Sequence, residues 1–192
     1  MENGRGPGDP GAIVDGSTRA ASVRPLSEPG LVVELAADEL EGAIHVGWER
    51  ARDAYVRGRT PNAAHVDDLE GTYFVGAVGE KAFGKLTGLY WPGRWTPDRG
   101  RGDVGGWEVK ASMHPTGRLI VRPDMPDGLR LVLMVPCARG DLRRWRCAGT
   151  LRAGAAKQER WKTQLRPGAP WVWAVPQGAL DACVVPGGLR RA

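Results

Sequence analysis

The chain has 192 residues, 42% of them hydrophobic, which suits one domain able to bury a core of its own. Its formal charge of +5 permits a nucleic-acid partner. No apolar run approaches the ~20 residues that a membrane helix needs, and the start of the chain lacks the apolar stretch of a signal peptide, so a cytoplasmic protein is expected. Cys137, Cys147 and Cys183 form no CxxC and have no neighbouring histidine, so they read as free thiols in a reducing compartment.

Residues 1–29 are rich in Gly, Pro, Ser and Asp without a sustained apolar pattern. This predicts a disordered tail ahead of a single domain over residues 30–192. From Leu31 the pattern is helical, with Leu40, Ile44, Trp48, Ala51 and Tyr55 at helical spacing up to Gly58. Thr60-Pro61-Asn62 breaks it. A second helix is expected to start near Asp67 or Asp68, either of which can cap it. It runs to about Thr87 with Gly88 as its stop. Its apolar positions include Leu69, Phe74, Val78, Ala82 and Leu86. Residues 91–102, carrying Trp91, Arg94, Trp95, Arg99 and Arg101, read as a loop.

Leu119-Ile120-Val121 and Leu129 to Val135 are expected strands, with Pro123 to Gly128 as the turn between them. Trp145 to Leu151 reads as a strand, Ala153 to Trp161 as a short helix, and Trp171 to Val175 as a late strand closed by Pro176. That last strand is apolar on both faces, and core packing is its expected role. Helices come first and strands cluster after them, so the fold class is α+β or mixed α/β. No GxGxxG or GxxxxGK[ST] phosphate loop is present.

Asp103-Val104-Gly105-Gly106-Trp107-Glu108-Val109-Lys110 carries the chemistry. Gly105-Gly106 is a two-residue hairpin signal. With that turn, Val104 faces Trp107 and Asp103 faces Glu108. Lys110 shares the face of Glu108. Two carboxylates that close repel unless a divalent cation lies between them, and oxygen ligands suit Mg²⁺ or Mn²⁺. Taken singly, Glu-x-Lys reads as a solvated ion pair, Asp103 as a turn residue, and Glu80, beside Lys81 and Lys85, as part of a solvated helix face.

In combination, the chain resembles the PD-(D/E)XK nuclease superfamily over about Asp67 to Val135, with a weaker tail to Leu180. The matching residues are Glu80 on a helix, Asp103 before the turn, and Glu108-x-Lys110 on the next strand. Gly102 stands where the family name has proline, and only four residues separate Asp103 from Glu108. The resemblance extends to phage or mobile-element members of that group. It implies a restriction-endonuclease-like central mixed β-sheet flanked by helices. It also implies a Mg²⁺-dependent (or Mn²⁺-dependent) deoxyribonuclease, a hydrolase of phosphodiester bonds. Asp103, Glu108 and the Val109 carbonyl would hold the metal, Glu80 would complete or orient the shell, and Lys110 would position water or stabilise phosphate charge. Gln158 with Lys162 resembles the late glutamine helix of recombination-type members.

Residues 139–166 hold nine basic and two acidic residues, with Trp145 and Trp161 interleaved. Such a stretch suits a nucleic-acid backbone and unstacked bases, or else a solvated surface over core tryptophans. Arg118, Arg143, Arg144, Arg146, Lys157 and Lys162 are the candidate contacts to DNA. His114 reads as a loop residue that could also reach phosphate. Two other functions remain open: a non-catalytic nucleic-acid-binding module with the same fold, and a structural protein of a mobile element.

Overall fold

The computed structural model describes residues 31–58, 69–93 and 102–183. The tail expected over residues 1–29, the cap at Asp67 or Asp68, and loop residues 94–101 lie outside them. The elements run β1 (Val32–Glu34), α1 (Ala37–Val56), α2 (Leu69–Thr87), β2 (Trp107–Ala111), β3 (Leu119–Val121), β4 (Arg130–Pro136), β5 (Arg144–Arg152), α3 (Ala153–Ala156), β6 (Lys162–Gln164) and β7 (Trp171–Val175).

Four strands form a mixed sheet in the order β1-β5-β4-β2. β2 lies parallel to β4 at one edge, and the other pairs are antiparallel. The nearly unbroken apolar run of β4 fits its central place, where both faces are covered. On one face, Val78, Ala82 and Phe83 of α2 pack with Val109, Val132, Met134 and Trp145. On the other, Leu131, Leu133 and Val135 pack against Leu119, Val121 and Val175. The second layer there is a separate antiparallel sheet, β3-β7-β6. The domain is therefore α+β with a mixed sheet, but the α1–α2 helix layer covers only one face of that sheet. The other face is covered by strands, which the alternation of β3 and β7 supplies with apolar side chains.

Several local expectations change. Leu31 does not begin a helix: β-branched Val32 and Val33 form an edge strand that pairs with Arg144 to Arg146. The segment Ala153 to Trp161 is not one helix. Its first amides bond elsewhere, Ala153 N–H to Leu129 O and Gly154 N–H to Asp127 O, both at 2.9 Å. Helix α3 stops after four residues, and Glu159–Trp161 forms a separate 3₁₀ turn. Residues 123–128 do not close a hairpin, because β3 and β4 belong to different sheets. Trp171 is not core; it is half exposed at the end of β7. The three cysteines are free, as expected.

The register of helix α1 also differs. The stripe Leu40–Ile44–Trp48–Ala51–Tyr55 is not the innermost one: Trp48 and Tyr55 are exposed, while Ala43, Gly47 and Ala54 are buried. Small residues win because the two helices cross closely. A Cβ on Gly47 would lie 2.7 Å from Phe74 Cα. Helix α2 approaches the sheet in the same way, since a Cβ on Gly79 would lie 2.5 Å from Ala111 Cβ. Gly88, with φ of 69°, ends α2 where a left-handed residue is needed.

The two helix glycines Gly79 and Gly76 thus have opposite expected responses. Gly76 has no atom within 4 Å of a built Cβ, so Gly76→Ala should stabilise by ~0.5–1 kcal/mol through helix propensity. Gly79→Ala should instead destabilise by ~1–3 kcal/mol through overpacking. Thermal melts of the two variants check this, with midpoints moving in opposite directions.

Candidate functional site

The hairpin turn forms at Gly105 and Gly106, whose φ values of 54° and 80° give the left-handed pair that a two-residue turn requires. Val104 and Trp107 exchange both backbone bonds, at 3.1 and 2.9 Å. The ladder ends there. Asp103 N–H turns in to the same Trp107 carbonyl at 2.6 Å, so Asp103 does not stand opposite Glu108. Gly102 explains the missing proline. Its φ is 74°, which proline's ring forbids, and a Cβ on it would strike the Trp107 backbone at 2.6 Å.

Asp103 instead folds its carboxylate over the edge of β2. Its Oδ2 accepts the Val109 N–H at 2.9 Å. That amide points away from β4, and the Asp103 carboxylate takes the place of a further strand. Trp107 and Val109 pack toward α2, so alternation turns Glu108 and Lys110 to the face that carries Leu131 and Leu133. Lys110 Nζ meets Glu108 Oε1 at 2.6 Å.

Glu80 reaches the same edge from the helix side, and it is not on a solvated face. Both of its oxygens accept from Arg50 of α1, Nη1 to Oε1 at 2.7 Å and Nη2 to Oε2 at 2.8 Å. Trp91 Nε1 adds a bond to Oε2 at 2.9 Å. The Arg50 and Glu80 side chains are only 10% and 7% exposed. Lys81 and Lys85, its neighbours on the expected solvated face, pair with Glu39 instead.

These charges converge on Asp103. Burial, then the charges of Glu80 and Glu108, raise its carboxyl to about 7, against the pull of the Val109 amide and Lys110. Burial works against the charge on Arg50, yet bonding to Glu80 and the charges of Glu80 and Asp103 hold its proton more tightly than usual. The site therefore joins Glu80, Asp103, Glu108 and Lys110 to two residues that sequence reading missed, Arg50 and Trp91. A signal for Arg50 existed: it falls in line with Ala43, Gly47 and Ala54, the one charged residue in a stripe of small ones.

The basic candidates divide. Arg118 and Arg144 are exposed. Arg143 pairs with Glu34 at 3.0 Å and Lys162 with Glu159 at 3.0 Å. Arg146 and Lys157 are internal struts rather than open phosphate contacts. Arg146 Nη2 donates to Pro115 O and Gln177 Oε1, both at 2.8 Å. Lys157 Nζ donates to Met125 O and Asp127 Oδ1, both at 2.7 Å. Trp145 is fully buried, with its indole N–H on Leu142 O, so it offers no stacking face. Gln158 bonds Ala155 O outside any long helix, and His114 is exposed in a loop. Among the described residues, no three acidic, histidine or cysteine side chains are grouped to hold a metal ion.

Comparison with protein families, with curated proteins and with solved structures finds no match. The residues of this site therefore carry the functional reading by themselves.

The electrostatics of the site set two expected outcomes. Removing one partner of a buried ion pair costs ~3–5 kcal/mol, whereas replacing both with apolar residues costs far less. Arg50→Met should therefore lower the unfolding free energy by that amount, and Arg50→Met with Glu80→Leu should recover most of it in denaturant titrations. The second outcome concerns pH. Between about 4 and 7 the folded protein keeps a proton on Asp103 that the unfolded chain has released. Stability in metal-free buffer should fall as pH rises through that window. Asp103→Asn should flatten the fall and melt higher than wild type at pH ~8; an unchanged profile would show that Asp103 carries no such cost.

Proposed function

We propose that the protein is a metal-dependent nuclease that hydrolyses phosphodiester bonds of DNA, with a restriction-endonuclease-like arrangement at its catalytic edge. The observation that carries this reading is Asp103. A half-buried acid lies within the fields of Glu80 and Glu108 at an open strand edge, beside Glu-x-Lys. Capping the Val109 amide needs only a neutral acceptor, whereas binding a cation gives a reason for a carboxylate there.

The donor set fits Mg²⁺ or Mn²⁺ in chemical kind. Asp103 and Glu108 supply carboxylates. The Val109 carbonyl points to the same open edge as its amide. All three are oxygen donors, the class these ions prefer. Bound there, the ion would neutralise the scissile phosphate and lower the pKa of a water. The chain's own residues do the rest. Lys110, poised on Glu108, meets the negative phosphate oxygens. Glu80 has both oxygens committed to Arg50 and Trp91, so we assign it a positioning role through Arg50 rather than a place in the metal shell. Exposed Arg118 and Arg144 are available to the DNA backbone. Free thiols support a cytoplasmic setting. No described helix is long and apolar enough to cross a membrane.

A specific observation supports a second reading. Glu80 and Glu108 already have cationic partners, and no three-acid group exists among the described residues. A nucleic-acid-binding module that does not cut would have this arrangement, with Asp103 kept neutral by a proton.

The test is cleavage of linear and circular, single- and double-stranded DNA with Mg²⁺, Mn²⁺ or EDTA. Wild type should cut only with a divalent cation. Asp103→Asn, Glu108→Gln and Lys110→Ala should each lose ~10²-fold or more of the rate. Lys110→Ala should keep metal affinity, since the ammonium is not a ligand. Activity surviving in all three variants would exclude this edge as the active site, and an inert wild type would favour the binding module.

A further inference from the structure

A cluster of cation–aromatic pairs lies away from the acidic edge, along β6 and β7. Arg160 Cζ sits 4.3 Å from the centre of the Trp161 ring. Lys162 Nζ sits 6.0 Å from Trp171, and Lys157 Nζ 5.9 Å from Trp173. The antiparallel register pairs Lys162 with Trp173 and Gln164 with Trp171, so these side chains share one face of the small sheet. Trp173 packs into the second core, and Lys157 is anchored to Asp127. Trp171 is different. It is 52% exposed, and neither burial nor a hydrogen bond explains so large an apolar group at the sheet's end. Arg160 and Arg166 are exposed in the preceding segment.

We propose that this rim, centred on Trp171 and Trp161 with Arg160 and Lys162, binds single-stranded DNA. The proposal deepens the nuclease reading and rests on it for the choice of nucleic acid. Unpaired bases present π-faces that stack on exposed indoles, while the phosphates between them pair with cations. Duplex DNA hides its base faces and gains only the charge term. The patch matches a single strand on both counts: a half-exposed indole, and cations held next to aromatic rings. It also lies on the side of the mixed sheet to which Glu108 and Lys110 turn, because the small sheet covers that face. Within the basic segment, Arg160 and Lys162 contribute to this rim, while Arg146 and Lys157 are used within the fold.

The test is fluorescence anisotropy with 5′-labelled oligo(dT) and a duplex of equal length, in EDTA so that binding is read without cleavage. Wild type should bind the single strand more tightly. Trp171→Ala should weaken that binding by about 5- to 150-fold, the loss expected for one stacked base, while Trp171→Phe should restore most of it. Arg160→Gln with Lys162→Gln should flatten the log–log salt dependence by ~0.7 for each lost contact. Circular dichroism melts of the variants should match wild type, as these side chains are surface groups. Single-strand binding that is equal in wild type and all variants would overturn the rim while leaving the cleavage test untouched. Duplex binding as tight as single-strand binding would overturn the strand preference. Binding of neither would overturn the inference outright, and cleavage with Mg²⁺ would still decide the nuclease reading separately.

Discussion

Burying Arg50 and Glu80 between two helices takes two charges out of water, at several kcal/mol per ion that only close, fully bonded geometry offsets. Both guanidinium nitrogens of the fork find a carboxylate oxygen, and the Trp91 indole fills a further lone pair. This is the bidentate arrangement that favours arginine over lysine. The pair can form only because α1 lies close on α2, and that approach depends on the missing side chain at Gly47. Trp91 then ties the chain leaving α2 to the same carboxylate. The crossing of the helices, the exit of the loop and the placement of Glu80 near the strand edge are thus one constraint.

The hairpin meets that constraint from the other side. Glycines at 102, 105 and 106 adopt positive φ and fold the chain so sharply that only one backbone bridge forms. The short arm leaves the outward amide of Val109 without a strand partner. Asp103 supplies the acceptor, which also blunts an edge that would otherwise pair with another chain. The same half-buried carboxylate lies within the field of Glu80 and Glu108. An edge cap needs only a hydrogen-bond acceptor, and asparagine would serve without the electrostatic cost. The negative charge is therefore the feature that structure alone leaves unexplained.

Local pattern makes much of this legible. Gly105-Gly106 announces its turn because two left-handed residues in succession have few other uses, and β4 announces its central place by its apolar run. Long-range facts stay hidden. The inner face of α1 lies one position away from the stripe that its large residues mark, because such residues mark a buried stripe only when helices pack at ordinary distance. Here the small residues face inward, and Trp48 and Tyr55 remain outside. Arg50 is passed over for the same reason, although it falls in line with Ala43, Gly47 and Ala54. Asp103 and Glu108 do not face each other because the turn rule fixes only the first pair, whereas the sharp bend at Gly102 sets the path of the residues before it. The second sheet is unreadable because β6 is three residues of Lys, Thr and Gln, with no apolar signal.

The formal charges leave one question of balance. Glu80 is in contact with Arg50, and Glu108 with Lys110. Three acids against two cations leave one negative charge, and the contacts assign it to Asp103. Ionising that group costs stability unless something neutralises it. A proton does so below about pH 7. A divalent cation would do so above that pH, which is what the proposed nuclease reading requires. The two readings of this protein differ in which of these occupies the Asp103 edge, and the rest of the fold is common to both. Helix packing and sheet order give the residues their positions, and the state of a single carboxylate separates the two proposed readings.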